Sequence, residues 1–176
     1  IKQNSKLQNK SQQLESLIDK FLQHQNKIDF YNKNFIENYP GLKIANLNIN
    51  PLHQEALQTF NVMLDSEIAE AASKQRRDLI FKINKLRQNW MSTVTIFRTF
   101  LSNPNSQRQQ QSNVYIDQHW KLLKSIEQYA DIFTFEEEEG FQKLQEISEN
   151  YFIYIDDVFT VFNEGRWRED VSLIKQ

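Results

Sequence analysis

The sequence predicts an all-α fold, an elongated antiparallel up-down bundle of four helices, and three observations support this prediction. Only three Gly and three Pro occur in 176 residues, far fewer turn residues than a β-sandwich or a doubly wound α/β fold needs. Apolar residues recur at spacings of three and four through most of the chain. The hydrophobic fraction of 39% and the aromatic fraction of 12% are enough for a packed core.

Residues 1–176 are expected to form a single helical-bundle domain. The first residue is Ile1 rather than Met, so the chain is interpreted as a fragment of a longer membrane protein. No window of the sequence holds 18 consecutive apolar residues, the length that indicates a transmembrane helix. Any membrane span is therefore expected to flank the fragment.

Segment one of the predicted bundle, from about Leu7 to Phe35, carries a heptad pattern typical of a coiled coil. Its apolar side chains recur every seven residues, with further ring and aliphatic side chains between them. These seam residues are Leu7, Leu14, Leu17, Phe21, Ile28, Tyr31 and Phe35. The sequence Tyr39-Pro40-Gly41 is expected to end the helix, because Pro cannot continue one and Gly favours a C-terminal turn. We expect a homodimer through this seam.

Segment two is predicted as one long helix that follows a loop over 41–50. Asn50 is the expected N-cap and Pro51 the first helical residue. No Gly or Pro follows before Ser102, and a helix of that length spans roughly 75 Å. This length is about twice that of segment three, so a kink near Ala71-Ala72 or a staggered bundle is needed to match the other helices.

The second half of the chain predicts two more helices. Residues 103–113 are interpreted as a polar, Gln-rich linker before segment three. Thr134 and Glu137 have the spacing of a capping box, which favours a helix break within 134–140 and a new start for segment four. Gly165 is expected to end or kink segment four, and 166–175 to add a further helical turn or two. An even number of helices would place both chain ends at one end of the bundle.

Several function classes are disfavoured by composition. The net charge is −2, from 21 basic and 23 acidic residues, whereas nucleic-acid binders usually show a basic stripe. No cysteine is present, which excludes thiolate metal sites and cysteine nucleophiles. His24, His53 and His119 lie on different segments, so no metal site is expected. No phosphate loop or nucleophile elbow occurs, and we expect neither a cofactor nor enzymatic activity.

A row of arginines on segment two is the candidate ligand site. Arg76, Arg87 and Arg98 are eleven residues apart, so successive members drift by only about 20° around the helix. A guanidinium can hold a carboxylate through two parallel hydrogen bonds, and Trp90 could close the apolar side. We therefore expect Arg76, Arg87 and Trp90, with Arg98 as a further member, to bind a small anionic ligand. The alternative is that the arginines pair with glutamates on a neighbouring helix.

Other residues of the apolar stripes have two interpretations. Trp90, Trp120 and Tyr129 either wall an apolar pocket or form ordinary core. Gln75 falls on the apolar stripe, where it indicates either a polar layer or a ligand site.

Two pairs of segments resemble a known class of domains. The first pair is 76–90, RRDLIFKINKLRQNW, and 97–101, FRTFL; the second is 133–136, FTFE, and 167–174, WREDVSLI. Together they resemble the periplasmic helical-bundle sensor domains of bacterial chemoreceptors, diguanylate cyclases and histidine kinases. The resemblance implies a position between two membrane spans, a dimer, a ligand pocket among helices, and signalling by small helix shifts.

Two functions follow as hypotheses. The first is an extracytoplasmic, periplasmic sensory domain of a transmembrane signalling receptor, in chemotaxis or a related pathway, which binds a small ligand or a partner protein. The second is a structural or tethering bundle, spectrin-like or cytoskeletal, that acts through protein–protein contacts and is located in the cytoplasm. Apolar spans on both sides of the fragment would favour the receptor.

Overall fold

The structure, a computed structural model, describes residues 2–174, and most of them are helical. Side chains are described from Lys10 onward, except that of Ala69. No strand occurs within that range, which confirms the all-α prediction. The helices are α1 (Lys2–Lys33), α2 (Phe35–Asn38), α3 (Pro40–Ile44), α4 (Asn50–Ser66), α5 (Lys74–Ser102), α6 (Ser106–Glu127), α7 (Phe135–Asn163) and α8 (Glu169–Ile174). A π-helical turn lies at Ala45–Ile49, and 3-10 turns lie at Glu67–Ala69 and Ala130–Ile132.

The predicted loop at 41–50 is wrong, because α3, the π-helical turn and α4 form one continuous helical segment. Asn50 is not an N-cap: it has helical angles, and its N–H donates to the carbonyl of Ala45, five residues back. Proline within a helix has no N–H, and its ring clashes with the carbonyl four residues earlier. The wider π-helical turn directly before Pro51 is a known means of accommodating such a disturbance.

The predicted single helix of segment two is also wrong, since it is two helices, α4 and α5. The 3-10 turn and an extended residue, Glu70, end α4. Ser73 then caps α5, its hydroxyl accepting a hydrogen bond from the N–H of Arg76 at 3.1 Å. The kink considered near Ala71-Ala72 has the right location, but the helix there ends instead of bending.

The linker predicted at 103–113 is much shorter in the structure. Asn105 is the N-cap of α6 and accepts from the N–H of Arg108 at 3.0 Å. Helix α6 therefore begins at Ser106, and the Gln-rich stretch is helical. Glutamine is a good helix former, so its abundance did not indicate a loop.

The break predicted at 134–140 is confirmed at its first residues. Thr134 accepts from the N–H of Glu137, and the Glu137 side chain accepts in return from the N–H of Thr134. This capping box starts α7 at Phe135. The end of segment four is confirmed as well: Gly165 has a φ of 73° just after α7, and the short helix α8 follows.

The core lies among α3 to α7. Helix α5 packs mainly against α6, and α4 packs against α7, with further contacts between α4 and α5 and between α6 and α7. Helices α5 and α7 run in the same direction, because Arg76 and Glu137 meet where both begin, whereas Phe100 and Phe159 meet near their ends, with ring centroids 4.9 Å apart. In the part of the chain that is described, no helix is long and apolar enough to cross a membrane.

Helix α1 stands apart from this core and packs mainly against α8 and α2. The side chains of Leu14, Leu17 and Phe21 on its heptad seam are exposed. From His24 the seam is better covered, and Ile28 and Tyr31 are half-buried. The helix is thus a projection from the core whose apolar face is covered only near its C-terminal end.

Candidate functional site

A buried ionic cluster lies where α4 ends and α5 and α7 begin. The guanidinium of Arg76 bonds to Glu67 and lies 3.0 Å from Oε2 of Glu137. A third carboxylate, that of the more exposed Glu70, is 3.5 Å away. The side chains of Arg76, Glu67 and Glu137 are 14%, 3% and 0% exposed, so water screens these charges little. We call Glu67, Arg76 and Glu137 the charge cluster.

The local folding of two loops positions the charge cluster. The capping box fixes Glu137, since its Oε2 accepts from the N–H of Thr134 at 2.8 Å. The N-cap of α5 fixes the backbone of Arg76. The Thr134 hydroxyl also lies 3.2 Å from that of Ser66, which links the end of α4 to the start of α7. Two helix starts and one helix end are thereby joined.

The protonation of the charge cluster is unusual. Burial, and next the adjacent carboxyl group of Glu67, raise the pKa of Glu137 to about 7; the N–H of Thr134 and the charge of Arg76 oppose this rise. Its Oε1 is buried and has no hydrogen-bond partner among the described residues. Two carboxyl groups that share one site with one guanidinium hold a proton more tightly than isolated ones. The cluster can therefore change its charge near neutral pH.

An open cleft lies over the charge cluster, between the end of α4 and the start of α7. Its lining residues are Val62, Asp65, Ser66, Glu70, Arg76, Phe133, Thr134, Phe135 and Glu136. Arg76 is the only cationic side chain among them, and glutamates already engage it. An anion bound by this guanidinium would lie beside those carboxylates, and their like charge would oppose it.

A second polar group lies deep in the middle of the core, around Trp90. The indole N–H of Trp90 donates to Nδ1 of His53 at 3.1 Å. On the other side, Nε2 of His119 lies 2.8 Å from the hydroxyl of Ser148. Tyr151 packs against the indole, with ring centroids 4.4 Å apart and ring planes inclined at 45°. We call His53, Trp90, His119, Ser148 and Tyr151 the histidine layer; it draws residues from α4, α5, α6 and α7.

The hydrogen bonds define the tautomers in the histidine layer. Indole can only donate, so Nδ1 of His53 must be unprotonated. The Ser148 hydroxyl donates to the carbonyl of Leu144, so it accepts from Nε2–H of His119. Burial lowers the pKa of His119 to about 4; burial, and next the charge of Arg98, lower that of His53. Both imidazoles are therefore neutral at physiological pH.

Some polar atoms of this region have no partner among the described residues. They are the side-chain amide of Asn89, Nδ1 of His119 and the hydroxyl of Tyr151. Burial also raises the pKa of Tyr151 above its ordinary value. A neutral, buried hydroxyl and imidazole are suited to fixing helix register, as polar groups in other helical cores do.

The structure places the four candidate ligand residues at separate points along α5. Arg76 belongs to the charge cluster, which matches the alternative interpretation of pairing with glutamates. Trp90 is fully buried, about 21 Å farther along the helix by its rise per residue. Arg87 is half-buried beside a shallow surface depression, and Arg98 is exposed. The structure does not bring them to one pocket, and anion binding by Arg76, Arg87 and Arg98, with Trp90 on the apolar side, stays a prediction.

The structure also bears on the sequence interpretations of Gln75, Trp120 and Tyr129. Gln75 is exposed, so the prediction of a buried polar layer at that position is wrong. Trp120 and Tyr129 pack against the core, as the core interpretation predicts. The polar layer is formed instead by His53 and His119, which the sequence places 66 residues apart and which no local motif connects.

Among the residues that the structure describes, no group of three or more His, Cys, Asp or Glu side chains is arranged to hold a metal ion. Comparison of the chain with protein-family models, curated proteins and solved structures finds no match. The functional interpretation consequently depends on the geometry of the chain itself.

Proposed function

We propose that this chain is an extracytoplasmic sensory domain of a transmembrane signalling receptor, built on an up-down bundle of four helical units. The units are 40–66, α5, α6 and α7. Their pairwise packing and the common direction of α5 and α7 support that arrangement. In this proposal the end that holds the charge cluster faces away from the membrane, and α1 and α8 face it.

The observation that carries the proposal is that the chain enters and leaves the core at one end, with its two flanking segments side by side. Trp167 packs on Gly41, where an added Cβ would lie 2.7 Å from the indole. Farther along, the N–H of Asp170 donates to the side chain of Asn38 at 2.9 Å. As the chain leaves α7, successive residues contact positions progressively earlier in the sequence, first Gly41 and then Asn38. Helix α8 therefore runs antiparallel to α1.

This arrangement suits a domain inserted between two membrane spans. Both flanking helices point away from the core in one direction, as two spans in one bilayer require. A structural change at the charge cluster can reach α1 and α8 through α4 and α7, because α7 runs from the charge cluster to the segment before α8. Shifts of an ångström or two between packed helices are sufficient for signalling in such arrangements.

Chemical labelling of the full-length protein from one side of the membrane tests the proposed extracytoplasmic location. The chain has no cysteine, so Ser106→Cys introduces a single thiol in this domain, at an exposed residue after the α5–α6 turn. In intact cells, a thiol reagent that cannot cross the inner membrane should label this thiol, seen as an increase over the labelling of the parent protein. Labelling only after lysis would contradict the extracytoplasmic location and favour a tethering bundle in the cytoplasm.

A thermal-shift screen tests the sensory role and the predicted anion site. Organic acids and amino acids are the probes, and a ligand at a hundred times its dissociation constant adds about 2.7 kcal/mol of stability. Arg87→Ala should abolish the shift, and Arg77→Ala, at an exposed arginine on the same helix, is the matched control. A shift that survives Arg87→Ala would contradict the site but not the sensory role.

A further inference from the structure

The charge cluster holds more negative than positive groups in a space that is nearly closed to water. Nη1 of Arg76 bonds to Oε1 of Glu67 and lies 3.0 Å from Oε2 of Glu137. The two carboxyl groups are neighbours because they meet the same nitrogen atom. Oε2 of Glu70, whose side chain is 41% exposed, lies 3.5 Å from Nη2 of the same guanidinium. If every group were ionised, three negative charges would face one positive charge.

The contacts of Glu137 leave one of its oxygens as the place for a proton. Oε2 accepts from the N–H of Thr134 and from the guanidinium of Arg76. Oε1 is buried and has no hydrogen-bond partner among the described residues. A buried, ionised oxygen without a donor is costly. A protonated Oε1 can donate instead, and the adjacent carboxyl group of Glu67 can accept.

We propose that Glu137 holds a proton on Oε1, shared with Glu67, and that loss of this proton as the pH rises opens the junction between the end of α4 and the start of α7. The proposal goes beyond the sensory role and does not depend on where the domain is located. With the proton in place, Glu137 is uncharged and Glu67 forms an ion pair with Arg76. Without it, two anions share one guanidinium, and their repulsion is relieved when Glu137 turns towards water.

The other charged groups at this end of the bundle do not replace the lost proton. Outside the charge cluster, the charged residues that line the cleft are Asp65 of α4, Glu70 of the turn and Glu136 of α7. All three are acidic, so their charges favour the protonated form of Glu137. Its pKa of about 7 places the transition near neutral pH.

The opening is confined to the end of the bundle that holds the charge cluster. Turning the Glu137 carboxylate to water breaks its bond to the N–H of Thr134 and thus undoes the capping box. The contact between the hydroxyls of Thr134 and Ser66 is lost with it. About one turn farther along α7, Gly140 packs so closely on Met63 that an added Cβ would overlap that side chain. This contact holds the rest of α7 against α4.

Carbon NMR of the glutamate carboxyl groups tests the shared proton. Glu137 should titrate near pH 7 in the parent chain. Glu67→Gln removes the second carboxyl group and should lower that midpoint to about pH 6 or below. Glu136→Gln, at an exposed residue of the same turn, is the matched control and should leave the midpoint unchanged. A midpoint near the ordinary 4.5 in the parent chain, or one that Glu67→Gln does not lower, would overturn the proposal.

Amide hydrogen exchange tests the opening. The N–H groups of Glu137 and Glu138 donate to the hydroxyl and the carbonyl of Thr134, so they report on the capping box. The closed junction holds the proton with a pKa of about 7, against an ordinary 4.5 for a carboxyl group in water. Relative to an unstructured chain at each pH, exchange at these two amides should therefore accelerate roughly 30-fold between about pH 5.5 and 8. Amides over 150–156, in the middle of α7, should not follow.

A variant that is uncharged at every pH separates this opening from a general effect of pH. Glu137→Gln should abolish the acceleration, whereas Glu136→Gln should keep it. Circular dichroism checks that both variants stay helical. Parent amides that exchange no faster, relative to the unstructured chain, as the pH rises would overturn the proposal. So would an acceleration that persists in Glu137→Gln.

Discussion

The indole N–H of Trp90 donates a hydrogen bond to Nδ1 of His53 across the α4–α5 contact, at 3.1 Å. Both side chains are buried, at 0% and 4% exposure. The bond ties two helices that the turn at 67–73 separates in the sequence. A buried pair of this kind is costly to break, because the group left behind has lost water without gaining a partner.

Trp90→Phe should destabilise the protein by about 2–3 kcal/mol in urea unfolding, because it leaves Nδ1 of His53 without a donor and removes ring volume. Tyr151→Phe is the matched comparison, since the Tyr151 hydroxyl is buried without a partner among the described residues. Its loss should change stability by less than about 1 kcal/mol or increase it. A larger loss from Tyr151→Phe than from Trp90→Phe would contradict this assignment.

The neutral His119 should make the protein sensitive to acid. Its folded pKa is about 4 against an ordinary 6.5, so between those values the unfolded chain binds more protons than the folded one. The contribution of His119 is complete above pH 6.5 and is lost as the pH falls towards 4, by on the order of 3 kcal/mol. His119→Gln should flatten the unfolding free energy over this window, and an unchanged slope would contradict the burial of a neutral imidazole.

Glu137 should have the opposite pH dependence. Its folded pKa of about 7 lies above the ordinary 4.5, so the folded state binds more protons in between. The stability that the protonated form contributes is present below pH 4.5 and lost as the pH rises through 7. Glu137→Gln should remove this slope from a series of urea unfolding curves while keeping an acceptor for Thr134. The exposed neighbour Glu138→Gln is the control; a similar effect of both would contradict the prediction.

Gly41→Ala should loosen the contact between the start of α3 and the segment before α8. The added Cβ would lie 2.7 Å from Cζ3 of Trp167, closer than packed atoms allow. Trp167 cannot move freely because its ring also packs edge-on against Phe100, with centroids 5.9 Å apart. We expect a loss of about 1–3 kcal/mol and faster amide hydrogen exchange over 168–174.

A double-mutant cycle checks that this loss comes from the named contact. Trp167→Leu removes the ring that the new methyl group would meet, so Gly41→Ala should cost much less in its presence. Additive effects of the two substitutions would show that Gly41 acts through something other than Trp167.

Sequence motifs predict those helix ends that hydrogen bonds between nearby residues determine. The capping box of Thr134 and Glu137 indicated the start of α7, because its hydrogen bonds lie within four residues. The turn before Ser73 is predicted only as a possible kink near Ala71-Ala72, although Ser73 is an N-cap, since alanines and a polar run continue the helical composition through it. Asn50-Pro51 predicts a helix start, because the sequence does not reveal the π-helical turn that precedes the proline.

By itself, the sequence determined that the chain is helical and that α1 carries a heptad seam, because periodicity and the scarcity of Gly and Pro act within a few residues. Only the tertiary structure decided which buried polar groups meet. Arg76 and Glu137 are 61 residues apart, and Trp90 and His53 are 37 apart. Helical periodicity identifies the face on which a side chain lies, but the partner of that face depends on where the turns reverse the chain and how the helices then pack.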